Sequence, residues 1–183
     1  AAETAATSND PAAYGDLYQW GRGADGHQCR NSGTTSIQSS TDQPGHGDFI
    51  ITSSDWRSPI NNSLWQGVNG INNPCPGGYR LPTGAELDAE RQSWSSNDAA
   101  GALASPLKLP MGGNRSYNSP VENVGSEGFY WSSTINSNTL NTVLFFESSN
   151  ENDDEWYDDG EISNAYMWNR WRAWGYSVRC IKD

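Results

Sequence analysis

Gly128-Phe129-Tyr130-Trp131-Ser132-Ser133-Thr134 and Gly175-Tyr176-Ser177-Val178-Arg179-Cys180 are the two stretches whose reading decides the fold. In both, aromatic and β-branched residues alternate with small polar ones, which is the pattern of a strand. Between them the composition changes. Residues 147–161 carry eight acidic side chains and no basic one, and Tyr166-Met167-Trp168-Asn169-Arg170-Trp171-Arg172-Ala173-Trp174 follows shortly after. Two strands enclosing a polar, aromatic-rich segment describe a rigid frame that displays a surface. Tyr, Trp and Arg dominate binding hot spots, and aromatic rings bring large contact area at low conformational cost. The segment is therefore read as a binding region.

The remainder of the chain is short of periodic runs. Hydrophobic residues make up 34% of the 183, but nine Trp and eight Tyr supply bulk for a core. Abundant Gly, Asn, Ser and Pro point to a loop-rich fold of short strands. A net charge of −11 argues against nucleic-acid binding, which calls for a clustered basic surface. No apolar run approaches the length of a membrane span. Residues 1–13 read as a loose leader, and residues 14–183 as one domain.

Within that domain the segment from Tyr14 to Gly21 is the first strand signal, with Leu17 and Gln19 on one face and Tyr18 and Trp20 on the other. Residues 22–47 read as a long ordered loop, and Phe49-Ile50-Ile51-Thr52 as a short apolar segment. A helical turn is expected between Trp56 and Trp65, with Pro59 near its start. Gly78-Tyr79-Arg80-Leu81-Pro82 is extended, and Thr83-Gly84-Ala85-Glu86 has the form of a capping box. The helix it opens should run about three turns, to the neighbourhood of Trp94. Residues 95–105 read as a connector of small residues, 107–110 as extended and 112–114 as a turn.

Chemistry-bearing residues are sparse. A hydrolase triad would have to use His27 or His46, both in the Gly-rich loop, and no serine sits in a Gly-x-Ser-x-Gly elbow. No enzyme activity and no cofactor are expected. His27, Cys29, His46 and Cys75 match no standard zinc spacing. The acidic run offers Asp153, Asp154, Asp158 and Asp159 as calcium ligands, without the order of an EF-hand loop; a solvated face is the simpler reading. Of the three cysteines, Cys75 and Cys180 are chosen as a disulfide because each adjoins a structured segment. The alternative is three small buried hydrophobes. The tryptophans at 168, 171 and 174 recur with period three. The Asn, Asp and Gly around them argue for loops. With Trp156, Tyr157 and Tyr166 they are the leading binding candidates.

Five motifs, in order, carry a resemblance: Leu17-Tyr18-Gln19-Trp20-Gly21, the run from Asn73 to Thr83, Leu107-Lys108-Leu109-Pro110, Tyr130-Trp131-Ser132-Ser133-Thr134, and Ser177-Val178-Arg179-Cys180. Together they resemble the Fibrobacter-type major paralogous domain. That family looks like a branch of the C-type lectin fold related to formylglycine-generating enzymes. Several of its members resemble the variable proteins of diversity-generating retroelements. The resemblance implies an α+β, C-type-lectin-like domain with a small twisted antiparallel sheet, one or two helices and extensive ordered loops. It also implies a hypervariable C-terminal region, about 131–180, that binds a protein ligand or receptor from a cell or virion surface; the acidic residues of this chain favour a basic one. By analogy the displayed positions are Asn136, Asn138, Thr139, Asn141, Thr142, Tyr166, Trp168, Arg170, Trp171 and Trp174, while Arg172 is structural. Residues 151–164 stand out from the family pattern as an acidic insertion. Adenine-directed change of an Asn codon does not produce Trp, so the tryptophans derive from other codons or are constant. The competing expectations are a non-diversified surface or structural paralogue, in which the aromatics are core, and an enzyme of the formylglycine type.

Overall fold

The computed structural model describes residues 4–117, 120–148 and 164–183. In chain order the elements are β1 (Tyr18–Gln19), β2 (Thr34–Thr35), β3 (Phe49–Ile50), β4 (Tyr79–Arg80), α1 (Gly84–Gln92), α2 (Ala99–Ala104), β5 (Asn114–Arg115) and β6 (Val121–Glu122). Then come β7 (Glu127–Ile135), β8 (Leu140–Glu147), β9 (Ala165–Trp171), β10 (Gly175–Tyr176) and β11 (Ile181–Lys182). This is a mixed α and β architecture of few helices, small and mostly antiparallel sheets and long connecting loops.

The largest sheet is antiparallel, in the order β7-β8-β9. Alternation gives it two apolar faces. Tyr130, Leu144, Phe146 and Ala165 pack with Leu87 of α1 and Ala99 and Ala102 of α2. Phe129, Trp131, Val143 and Phe145 pack on the other side with Trp20, Trp65, Leu81 and Tyr176. A strand covered on both faces reads as a near-continuous hydrophobic run, which is why 128–134 stands out so strongly in the sequence. Packing of that face admits no extra atom at Gly128, where a Cβ would overlap the Phe146 ring.

Ser132-Ser133-Thr134 has a geometric purpose. Register shifts between Trp131 and Ile135, and the bulge releases backbone groups to other elements. The Ser132 carbonyl accepts the Trp20 indole N–H (3.0 Å). Ser133 N–H bonds Pro82 O (2.8 Å), and Thr134 Oγ1 accepts the Gly84 N–H at the start of α1 (2.9 Å). The expected capping box is formed by Thr83 and Glu86. Arg80 grips the same glutamate through both carboxylate oxygens, holding its carboxyl well below the usual range, at about 2.

Some expectations are revised. The helix ends at Gln92, capped by Ser93, although Trp94 just beyond it still packs on the core. The presumed connector contains α2, capped by the Asp98 side chain on Gly101 N–H; a single Asp before a run of small residues suffices. Between Trp56 and Trp65 there are turns and no helix, because both indoles are pulled inward and bond backbone carbonyls, of Trp20 and Asn72. The leader is not loose over its described part. Ala5 is buried, and Met111 N–H donates to Ser8 O.

Cys75 and Cys180 form the disulfide, and Cys29 is an exposed thiol. The bridge closes the end of the chain onto the middle, beside the β4–β11 pair. No helix among the described residues is long and apolar enough to cross a membrane.

A polar cluster stands at the centre of the N-terminal half. His27 is fully buried, its Nδ1 2.7 Å from Asp25 Oδ1, and its Nε2 accepts the Gln19 N–H (3.1 Å). Those partners require the neutral ring with its proton on Nδ1. Burial, reinforced by Arg22 and Arg115 and opposed by Asp25, pushes the imidazole down to about 4. The folded state thus resists a proton that the unfolded chain accepts near 6.5. The stabilising contribution is complete above that value and is lost as pH falls through about 4. Its size is on the order of 3 kcal/mol. Urea unfolding at a series of pH values should show stability falling from pH 6.5 towards 4. His27→Gln should have a shallower slope; equal slopes would remove His27 as the cause.

Candidate ligand-binding surface

The segment 166–174, expected as loop, is a strand followed by a tight turn. β9 pairs with β8 along its whole length, from Phe146↔Ala165 to Leu140↔Trp171. Cross-strand packing overrides the polar neighbours that suggested loop. Strand geometry also dissolves the period-three stripe. Side chains alternate, so Trp168 and Trp171 lie on opposite faces. Trp174 follows the turn closed by Trp174 N–H on Trp171 O (3.1 Å) and returns to the Trp168 side.

An aromatic ladder results. Tyr166 lies 4.9 Å from Phe145 and 5.7 Å from Trp168, centroid to centroid. The Arg170 guanidinium covers the Trp168 ring and lies 5.6 Å from that of Trp174. Trp174 in turn contacts Tyr117 and Tyr176. Tyr166, Trp168 and Trp174 are half-buried, their inner faces on the core and their outer faces in water. Trp171 is the most exposed, at 42%. Arg170 is half-buried and turned towards the rings and Tyr176, so it positions the aromatics more than it extends from them. Its charge also reaches Glu127, whose carboxyl is pushed up, chiefly by burial.

The other displayed positions separate into groups. Asn136, Asn138 and Thr139 occupy the β7–β8 turn, the first two exposed and Thr139 partly so. Thr142 faces α1, its methyl close to Gly84 and its hydroxyl on Asn169 Oδ1 (3.2 Å). Asn141 is a correction. It is fully buried, donating to Thr134 O and accepting from Arg172 Nε (2.6 Å). The strand's alternation turns it inward, where its amide has no access to a ligand. Trp156, Tyr157, Asp153, Asp154, Asp158 and Asp159 lie outside the described residues.

Arg172 fixes this surface to the frame. It is 1% exposed and bonds Asn141 Oδ1 and Asn62 Oδ1 (2.6 Å each), with Asp55 Oδ2 at 3.5 Å. Its guanidinium lies 4.4 Å from the Trp20 ring centroid. Ala173 is held from both sides, its N–H on Ser54 O and its carbonyl on the Gln19 amide. The turn 171–174 therefore has a rigid inner side and an exposed outer one.

Sequence reasoning missed Leu140 and Asn169. With Arg170, Trp171 and Trp174 they line an open pocket of about 170 Å³, a volume suited to a single side chain. Strand alternation could have placed Asn169 beside Trp171, had the segment been read as β. Cys75 is consumed by the disulfide and both His27 nitrogens are engaged, which removes two of the four residues considered for zinc.

Comparison with protein-family models, with curated proteins and with solved structures found no match to this chain.

Proposed function

We propose that this protein is a non-enzymatic ligand-binding protein with a C-type-lectin-like fold. In this reading its C-terminal region is a surface diversified by a retroelement and presented on a cell or virion exterior. The observation that carries the reading is a set of partly exposed rings on and just after β9, with Tyr166, Trp168 and Trp174 on one face and Trp171 on the other, held in place by the buried Arg172 and Ala173. Large rings held in place bind with little loss of conformational freedom. The net charge of −11 favours a basic protein partner and fast encounter with it. A disulfide between residues 105 apart supports an oxidising compartment.

Trp171→Ala alone should melt within a few degrees of wild type, since Trp171 is the most exposed of the four aromatics and lies outside the core clusters. It should also lose affinity for proteins captured from a displayed surface-protein library by about tenfold or more. Changing Tyr166, Trp168, Trp171 and Trp174 together to Ala should abolish capture. If Trp171→Ala binds every captured partner as wild type does, this surface is not the binding site. Half-burial of Tyr166, Trp168 and Trp174 favours the second reading, a non-diversified paralogue with core aromatics. A near-identical template repeat in the encoding locus, differing at adenines, separates the two. Its absence beside a reverse transcriptase would count against diversification.

A further inference from the structure

The two edges of the main sheet are treated differently by the fold. The outer edge of β7 is covered. Trp131 N–H bonds Ser177 O (2.9 Å), Ser177 N–H bonds Phe129 O (3.1 Å), and Ser133 N–H bonds Pro82 O (2.8 Å). β9 forms the opposite edge, and no described strand pairs with its outer side.

The backbone direction along β9 follows from its two ends. Glu147 N–H donates to Asn164 O and Arg172 N–H to Thr139 O, so even-numbered residues turn their backbone groups to β8. Ala165, Met167, Asn169 and Trp171 turn theirs outward. Both ends of this row are capped: Ala165 O accepts the Asn97 amide (2.9 Å), and Trp171 O accepts Trp174 N–H (3.1 Å). Between the caps, the outward N–H and C=O of Met167 and Asn169 have no hydrogen-bond partner among the described residues.

An open edge is a template for another strand, and proteins usually blunt it with proline, lysine, a bulge or an inward charge. β9 has no proline, lysine or bulge, and its one charged side chain, Arg170, is folded onto the Trp168 ring. Its register with β8 runs unbroken over all 7 residues, and Met167, Asn169 and Trp171 are uncharged. Around the edge stand the rings of Tyr166 and Trp168 on one face and Met167 and Trp171 on the other, with the pocket of about 170 Å³ at the far end of β9, where both faces contribute to its lining. Strand addition takes affinity from backbone bonds and specificity from such flanking side-chain sites. A second copy of this chain would bring a second charge of −11 against the first, whereas a basic segment is attracted.

We infer that β9 receives an extended, net-basic segment of a partner protein as an added strand, hydrogen-bonded through the backbone of Met167 and Asn169. The inference rests on the proposed binding role of this surface and specifies how the partner is held.

The probe is a capped synthetic peptide matching the length of β9, alternating Lys with Tyr and Val. Two control peptides accompany it: one with Glu in place of Lys, and one N-methylated at alternate peptide nitrogens. Amide hydrogen exchange and NMR shifts of the whole protein are the readouts. Without peptide, the Met167 and Asn169 amides should exchange fast while those of Tyr166, Trp168 and Arg170 are protected. Millimolar basic peptide should protect Met167 and Asn169, and the two controls should not. Asn169→Pro removes an outward N–H at an edge position where proline is tolerated. It should melt like wild type and bind the basic peptide at least about tenfold more weakly. No protection by the basic peptide, or equal protection by the acidic or N-methylated one, overturns the inference. Concentration-dependent self-association that protects Met167 and Asn169 without peptide also overturns it, in favour of a second copy. If Trp171→Ala loses captured protein partners while Asn169→Pro keeps them, the binding surface stands and edge pairing falls. If Asn169→Pro loses them while Trp171→Ala keeps them, edge pairing stands and the aromatic reading falls.

Discussion

Replacing Arg172 with methionine is expected to lower the unfolding free energy by about 3–5 kcal/mol, the cost of breaking a buried ion pair from one side. The guanidinium is the common partner of Asn141 in β8, Asn62 in the preceding loop region and Asp55 beside Trp56. It also lies against Trp20. Methionine fills much of the volume but leaves the Asn141 amide oxygen and the Asp55 carboxylate buried without this donor. Asp55 carries most of the consequence. Its carboxyl is already pushed up by burial, and Arg172 and Arg57 pull it back. Without Arg172 it rises further above its unfolded value. A carboxyl raised in the folded state destabilises at neutral pH, and the penalty disappears as pH falls below the unfolded value near 3.9. The deficit of Arg172→Met relative to wild type should therefore shrink towards pH 4. Adding Asp55→Asn should recover part of it at pH 7. Urea titrations of the three proteins at the two pH values test this. A deficit that does not depend on pH would mean that packing against Trp20, and not charge, sets the cost.

Reducing the Cys75–Cys180 bridge should have an effect of similar size. The residues are 105 apart in sequence. The chain-entropy account assigns a loop of that size about 4–5 kcal/mol, and native disulfides commonly contribute about 2–5 kcal/mol. Here the bridge has a local role too. It adjoins the two-residue β4–β11 pair, and strands this short hold their register poorly without a second constraint. Expected in reductant are a fall in the urea midpoint and a steeper dependence on urea, because the freed chain exposes more surface when unfolded. Cys29→Ser should follow the wild type in both conditions, since the exposed Cys29 thiol is outside the bridge. Equal midpoints with and without reductant would show that the β4–β11 pair and the core hold the terminus unaided.

Both predictions concern the frame, which was legible in part: 128–134 lies within a strand as read, whereas of 175–180 only Gly175–Tyr176 does. Glu127–Ile135 carries apolar side chains on both faces, so its strand signal survives without knowledge of what covers it. The capping box depends on residues three apart and can be read locally. Cys75 and Cys180 followed from their position beside structured segments, and the structural role of Arg172 was expected only by analogy.

The aromatic surface along β9 was less legible, because its properties depend on neighbours distant in sequence. In Tyr166-Met167-Trp168-Asn169-Arg170-Trp171, large and polar residues fall on both faces, so no alternation marks a strand; pairing with β8 makes it one. Asn141 and Asn138 are the same residue type in one polar stretch. One is buried beneath Arg172 and the other is in solvent, since strand direction and an arginine 31 positions away decide which side chain turns inward. Local patterns in the sequence thus determined which segments are rigid, through short-range bonds and two-sided apolar burial. Only the tertiary structure decided which aromatic faces remain in water and which sheet edge pairs with no strand among the described residues, because exposure is a property of the packed chain and not of any residue within it.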